Sequence, residues 1–263
     1  MIPVNCSICN QKAIPFDKAK VLDKYDVQYY RCTECGFIQT EDPYWLDEAY
    51  TDAINASDLG LVHRNINNAR MTRSVIFLFF NQAGKFLDYA GGYGMFTRMM
   101  RDSGLDYYHH DAYCENLFAV SFDLSVIGKT EFDMLTVFEV FEHLKDPKVA
   151  LEELLGYSGN ILFSTDLLPS NPPKVDDWWY YGTDHGQHIS IYTENSLRKL
   201  AGEFGLHFVT DRRRIHMFSR RRVSQTLFVF LVRSKLALLL GMLLKRRSLL
   251  PKDYFEMTGR RLK

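Results

Sequence analysis

The sequence is sparing with cysteine, proline and glycine. Its 263 residues include 5 Cys, 8 Pro and 16 Gly, too few for a disulfide-framed, collagen-like or low-complexity chain. Formal net charge is zero, which excludes a uniformly basic or acidic molecule. The first ten residues have neither a basic start nor an apolar run, so no secretory leader is expected and a cytoplasmic location is. Internal repeats are also missing. What the chain does have is apolar material: 46% hydrophobic and 14% aromatic residues. That is enough to bury the core of one medium domain with an accessory piece.

The zero charge conceals an asymmetry. Residues 212–263 hold 15 Lys and Arg against Asp253 and Glu256, a net +13, so the remainder carries −13. A basic tail on an acidic body calls for an anionic partner: a membrane surface, nucleic acid or the body itself. Residues 223–244 are mostly apolar, but Arg233 and Lys235 fall near the middle and basic triplets flank both ends. A helix lying in a membrane interface fits this better than one crossing it, because a charge at the bilayer centre is costly. A helical arm packed on the body or on a second copy fits equally well.

Four of the five cysteines form two pairs, Cys6-x-x-Cys9 and Cys32-x-x-Cys35, with 22 residues between them. In a reducing compartment such pairs hold metal more often than they form disulfides. Each pair can wrap two thiolates round one ion, and a fold-back completes a tetrahedral set. Gly36, just after the last cysteine, suits a tight knuckle. Residues 1–40 therefore resemble a zinc ribbon. Four thiolates leave no open coordination position, so its zinc is structural. Cys114 stands apart and reads as a packed thiol.

After a helical lead-in at 41–84, residues 85–222 alternate strand-like and helical runs. Strands are expected at 85–89, 106–110, 132–138 and 160–166. Helices are expected at 96–101, at 146–157 with Pro147 in the first turn, and from Thr193 to Gly205. Residues 206–210 and 215–219 suit a final antiparallel pair. Alternation of this kind predicts an α/β fold, a parallel sheet with helices on both faces, which binds ligands at the carboxyl ends of its strands. Residues 223–263 form a basic, apolar helical extension.

One turn is rich in glycine: Asp88-Tyr89-Ala90-Gly91-Gly92-Tyr93-Gly94 follows a strand and opens a helix. Such a loop lets the backbone approach a ligand closely. Asp111 ends the next strand, where a carboxylate can hold ribose hydroxyls. The third strand runs on as FDMLTVFEVFEHLKDP. These segments resemble the class I S-adenosylmethionine-dependent methyltransferases of the type 11 or 23 kind, over about residues 85–220. The resemblance implies a Rossmann-like sheet. It also implies that Asp88, Gly92 and Gly94 face the amino-acid end of the cofactor, with Tyr89 and Ala90 in the same binding turn. Asp111 would bind ribose and Glu139 would lie beside the cofactor. Ala90 departs from the family's glycine, and the adenine contact is not evident; Asp123 is the nearest candidate.

Methyl transfer from a sulfonium needs an aligned acceptor and, for many acceptors, loss of a proton. The segment after the strand at 160–166 carries Pro169, Pro172 and Pro173, then the aromatic run 178–181, His185 and His188. Prolines stiffen it, aromatics can floor a flat or sugar-like acceptor, and histidines titrate near neutrality. His188 is the leading base, His185 the second, and His143 serves either the chemistry or the loop beside Glu142. The ribbon-then-methyltransferase order also resembles bacterial sugar methyltransferases of polysaccharide assembly. It implies a small-molecule acceptor such as a saccharide, free or linked to a nucleotide or lipid. Two other readings compete with this one. One is a nucleic-acid methyltransferase or binding module, with ribbon and tail gripping phosphates. The other is a catalytically silent scaffold that keeps the fold to bind partners.

Overall fold

The computed structural model describes residues 4–51, 59–128, 130–235, 239 and 246–262. The chain forms two compact units. The first comprises 1–55, 139–155 and 163–222, and the second comprises 56–138, 156–162 and 223–263.

In the first unit, β1 (Val4–Asn5), β2 (Lys12–Val21), β3 (Tyr25–Cys32) and β4 (Ile38–Thr40) lead to a short helix, α1 (Leu46–Ala49). β2 and β3 form a long antiparallel hairpin whose register slips between Pro15 and Asp17. Pro15 has no N–H to give the ladder, and an irregularity is where a sheet tolerates it. In the three-residue connection, Leu22 and Asp23 both take positive φ, and the Lys24 amide turns back to the Val21 carbonyl at 3.0 Å. Val27 and Tyr29 point inward while Asp26 and Gln28 are more accessible, the period-2 pattern of a half-buried strand. A distant segment completes this sheet: β9 (Ser190–Ile191) pairs antiparallel with β4, Ile38 opposite Ile191. Val21, Val27, Tyr29, Trp45, Tyr181 and Ile191 share one core. The unit also holds α5 (Pro147–Leu155) and α6 (Glu194–Glu203). Thr193 and Ser196 cap α6 reciprocally. β10 (His207–Thr210) and β11 (Ile215–Ser219) make the expected antiparallel pair.

In the second unit, β5 (Lys85–Tyr89) lies parallel between β6 (Asp106–His110) and β7 (Met134–Val137). Its helices include α2 (Leu61–Phe79), α3 (Met95–Asp102) and α4 (Leu124–Ile127). With β8 (Asn160–Ser164), the six-stranded sheet has the order β10-β11-β8-β7-β5-β6. Parallel strands joined through helices, with one antiparallel hairpin at the end, make the expected Rossmann-like α/β sheet.

The tail supplies α7 (Gln225–Arg233) and α8 (Leu250–Thr258) to the second unit. Asp253 of α8 is buried and takes two hydrogen bonds from Arg101, at 2.7 and 2.9 Å, and one from Arg98 at 2.8 Å. The Leu249 and Arg246 amides donate to the Arg101 and Ser103 carbonyls. This part of the tail is docked through its own carboxylate on two arginines of the unit and through backbone amides on two of its carbonyls. The apolar stretch expected at 223–244 lies partly outside the described residues. Among the described residues no helix is long and apolar enough to cross a membrane.

Candidate active site

In the second unit, Asp88 sits near the end of β5 with its carboxyl buried. The Thr136 hydroxyl donates to Oδ1 at 2.9 Å and the Thr97 hydroxyl to Oδ2 at 3.4 Å. Burial pushes the carboxyl up to about 7, against a smaller opposing pull from Thr136 and His109. The chain then turns through Ala90, Gly92 and Gly94, all at positive φ. A Cβ at Gly91 would lie 2.5 Å from Asp88 Oδ2, so the turn closes over Asp88 only with glycine there. Ala90 keeps the left-handed conformation at a cost of roughly 1 kcal/mol. Gly94 starts α3 without any side-chain cap, leaving first-turn amides for an anionic group.

Asp111, just past β6, is tied to the same turn. Its Oδ2 accepts from the Gly92 amide at 2.8 Å, and its Oδ1 accepts from the Tyr113 and Cys114 amides at 2.8 Å. A carboxylate oxygen can accept two bonds, so Oδ2 retains a lone pair for a hydroxyl. His109 spans from Asp123 at 3.1 Å to the Gly92 carbonyl at 2.8 Å. Asp123, besides pairing with His109, caps α4 through Ser125. Uncapped amides, a glycine-rich turn and a carboxylate with spare acceptor capacity fit the carboxylate and ribose of S-adenosylmethionine.

The first unit gathers the histidines. Glu139 stands at positive φ; Arg214 pairs with its Oε2 at 2.8 Å and the Ser164 hydroxyl bonds its Oε1. Three residues on, Glu142 is buried to 1% exposure, and neither carboxylate oxygen meets a donor in hydrogen-bond geometry. Burial and the neighbouring Glu139 push this carboxyl up to about 8, with a smaller opposing pull from the Tyr180 and Thr165 hydroxyls. One ring nitrogen each from His143 and His188 lies with a Glu142 oxygen so that all three atoms are within 4.8 Å of one another.

His188 Nδ1 stands 2.6 Å from the Tyr180 carbonyl oxygen. A carbonyl only accepts, so Nδ1 carries the proton and Nε2 the lone pair of the neutral ring. Burial lowers this histidine to about 4, keeping it neutral near pH 7. His143 Nδ1 meets the Tyr50 hydroxyl at 3.0 Å, and burial holds it well below its ordinary value. His185 packs edge-on against His188, but its Nδ1 accepts from the Gln187 amide at 3.1 Å, which occupies its lone pair. His188 and His143 are thus better placed for chemistry than His185. Three members of this neighbourhood escaped the sequence reading: the unpartnered state of Glu142, the Tyr50 contact and the Arg214–Glu139 pair. An EH dipeptide at the end of a buried strand was the one available signal.

The four cysteine sulfurs also converge. Cys6 and Cys35 Sγ are 3.6 Å apart, Cys9 and Cys32 3.4 Å, and all four lie within 4.8 Å of one another. The Glu34 and Cys35 amides point at Cys32 Sγ, each at 3.4 Å, forming a knuckle that Gly36 closes at positive φ. Cys114 is half-buried, and burial raises its thiol to about 11, in keeping with a packed, neutral thiol.

The model of the methyltransferase domain matches residues 63–211, more than half of the chain. The chain belongs to this methyltransferase-domain family. Solved structures are similar to it at low identity. A methyltransferase of calicheamicin biosynthesis with S-adenosylhomocysteine bound is 14% identical, with 68% of this chain and 60% of that one covered and a TM-score of 0.46. A magnesium protoporphyrin IX methyltransferase from Synechocystis is 15% identical, with 66% and 87% covered and a TM-score of 0.38. An S-adenosylmethionine-dependent methyltransferase from Leishmania major is 14% identical, with 78% and 96% covered and a TM-score of 0.49. The chain spans 60–65% of the length of the first three of the similar structures. No curated protein sequence matches it.

Proposed function

We propose that the enzyme methylates a small hydroxylated acceptor, a saccharide being the class its aromatic segment suits best. The observation behind this reading is the pairing, within the first unit, of an aromatic run with the histidine cluster. Trp178 and Tyr180 lie 5.2 Å apart at a 40° tilt, Trp179 is 76% exposed, and the Tyr180 backbone orients His188. Aromatic faces carry the apolar side of a sugar or flat ring, while neutral imidazoles bind its hydroxyls and draw off a proton. His188 leads in this role, with His143 beside it and His185 third. Asp88, Tyr89, Ala90, Gly92, Gly94 and Asp111 hold the cofactor, and Glu139 supports the site. Bound there, S-adenosylmethionine supplies a methyl group on a sulfonium, and transfer to the acceptor oxygen leaves a neutral thioether.

The four cysteines in this reading hold one structural zinc, which closes the ribbon and takes no part in the chemistry. The test is methyl uptake from labelled S-adenosylmethionine across a panel of sugars, phenols and nucleotide-linked sugars, with short RNA as comparison. Uptake by a hydroxylated small molecule supports the reading. Uptake confined to RNA, with affinity falling steeply with salt, overturns it.

A further inference from the structure

Glu142 presents a problem that its surroundings leave unsolved. A fully buried carboxylate is normally hydrogen bonded or paired, because leaving it bare is costly. Here neither oxygen meets a donor in good hydrogen-bond geometry; the nearby Tyr180 and Thr165 hydroxyls bond each other at 3.0 Å and offset only a small part of the burial penalty. Beside it stand two nitrogens, one from each of two neutral imidazoles. The His188 ring is fixed by donating Nδ1–H to a backbone carbonyl, the orientation that metal-bound histidines commonly have, with Nε2 turned to the ion. The His143 ring is held at Nδ1 by the Tyr50 hydroxyl, with the Gln187 backbone also acting on it.

The geometry points to a divalent-cation site formed by Glu142, His143 and His188. Two imidazoles and one carboxylate are the donor set of first-row ions such as Mn2+, Fe2+ or Zn2+, and three protein ligands leave positions open. The three donor atoms lie within 4.8 Å of one another; bonds of about 2.0–2.2 Å to one ion require them to close by roughly 1 Å. His143 and His188 are both half-buried, so the open positions can be reached. They suit water or the hydroxyl oxygens of an acceptor, whose pKa falls on the ion. That last role rests on the methyltransferase reading above. There His188 serves as a ligand, and the hydroxyl's proton leaves to solvent. Cation binding itself does not depend on that role.

Mn2+ is the probe of choice, because it favours nitrogen and oxygen donors and competes poorly for the four thiolates. Full-length protein, dialysed against a weak chelator, is titrated with Mn2+ and followed by the paramagnetic resonance signal of the free ion. One ion per chain is expected in the parent. Glu142→Gln and His188→Ala should each lose at least tenfold in affinity, Tyr50→Phe roughly tenfold through the orientation of His143, and Glu152→Gln on the exposed face of α5 nothing. Glu142→Gln replaces a buried carboxyl by a neutral amide of the same shape, so in metal-free buffer it should melt no lower than the parent. Mn2+ should raise the melting temperature of the parent and not of that variant. No binding by the parent, or equal affinity in Glu142→Gln, overturns the site. Calorimetry with S-adenosylhomocysteine on the same samples separates the two readings. Cofactor binding without Mn2+ removes only the cation site, and Mn2+ binding without cofactor removes only the donor assignment.

Discussion

His188 gives its Nδ1 proton to the carbonyl oxygen of Tyr180 at 2.6 Å, so a residue of the aromatic run sets the direction of the imidazole lone pair. Replacing His188 by Ala should lower turnover at saturating acceptor by roughly 10²-fold while leaving S-adenosylhomocysteine affinity unchanged. His185→Ala should cost far less, because its Nδ1 lone pair is taken up by the Gln187 amide. Equal losses in the two variants would show that the ring nearest the acceptor has been misjudged.

Asp88 predicts a pH dependence of stability in cofactor-free protein. Its carboxyl is raised in the fold to about 7 from an ordinary 3.8, so between those values the folded state binds more protons than the unfolded one. Its contribution is then fully present below about pH 4 and is lost as pH rises through 7. Asp88→Asn should be more stable than the parent at pH 8, by roughly 1–3 kcal/mol. The gap should close near pH 4, and cofactor binding should weaken. Urea unfolding of both proteins at the two pH values measures this; a gap that widens in acid would refute the burial argument.

Asp253 should hold the tail. It answers Arg101, itself only 2% exposed, so Asp253→Ala leaves a buried guanidinium with one partner fewer. Breaking a buried pair from one side costs about 3–5 kcal/mol. Denaturant unfolding reads that loss directly, and a change under 1 kcal/mol would mean that α8 is not part of the folding unit.

The cysteines should retain one zinc through mild chelation, and Cys32→Ser should release most of it together with the order of the β2–β3 hairpin. Elemental analysis of Glu142→Gln, which leaves the thiolates alone, should still find that zinc. Full occupancy in Cys32→Ser would show the ligands to be others.

The glycine turn, β5, β6, α3 and the Thr193 cap were legible because each is written locally: a short apolar run, a turn residue, a capping side chain. The ribbon was legible only at its cysteines. Lys12–Val21 mixes lysines with Pro15 and an aspartate, and its strand character comes from pairing with β3 rather than from propensity. No local signal marks Ser190–Ile191 as a strand, since its partner is β4. The same holds for Glu142, whose chemistry depends on what fails to surround it, and for Asp253, which meets Arg101 from 152 positions away.

The closure of the ribbon sheet by β9 makes His185 and His188 tenants of the cysteine knuckle. The segment that carries His185 and His188 is pinned to the ribbon and α1 at four places: Thr183 accepts from the Leu22 amide, Gly186 from Trp45 Nε1, Ala49 from Gln187 Nε2, and Ile189 from the Thr40 amide. Oxidation of the thiols, or theft of their metal by a stronger chelator, would loosen those four pins before it touched the glycine turn. Damage at the knuckle would then register first as poor handling of the acceptor, with the methyl donor still bound.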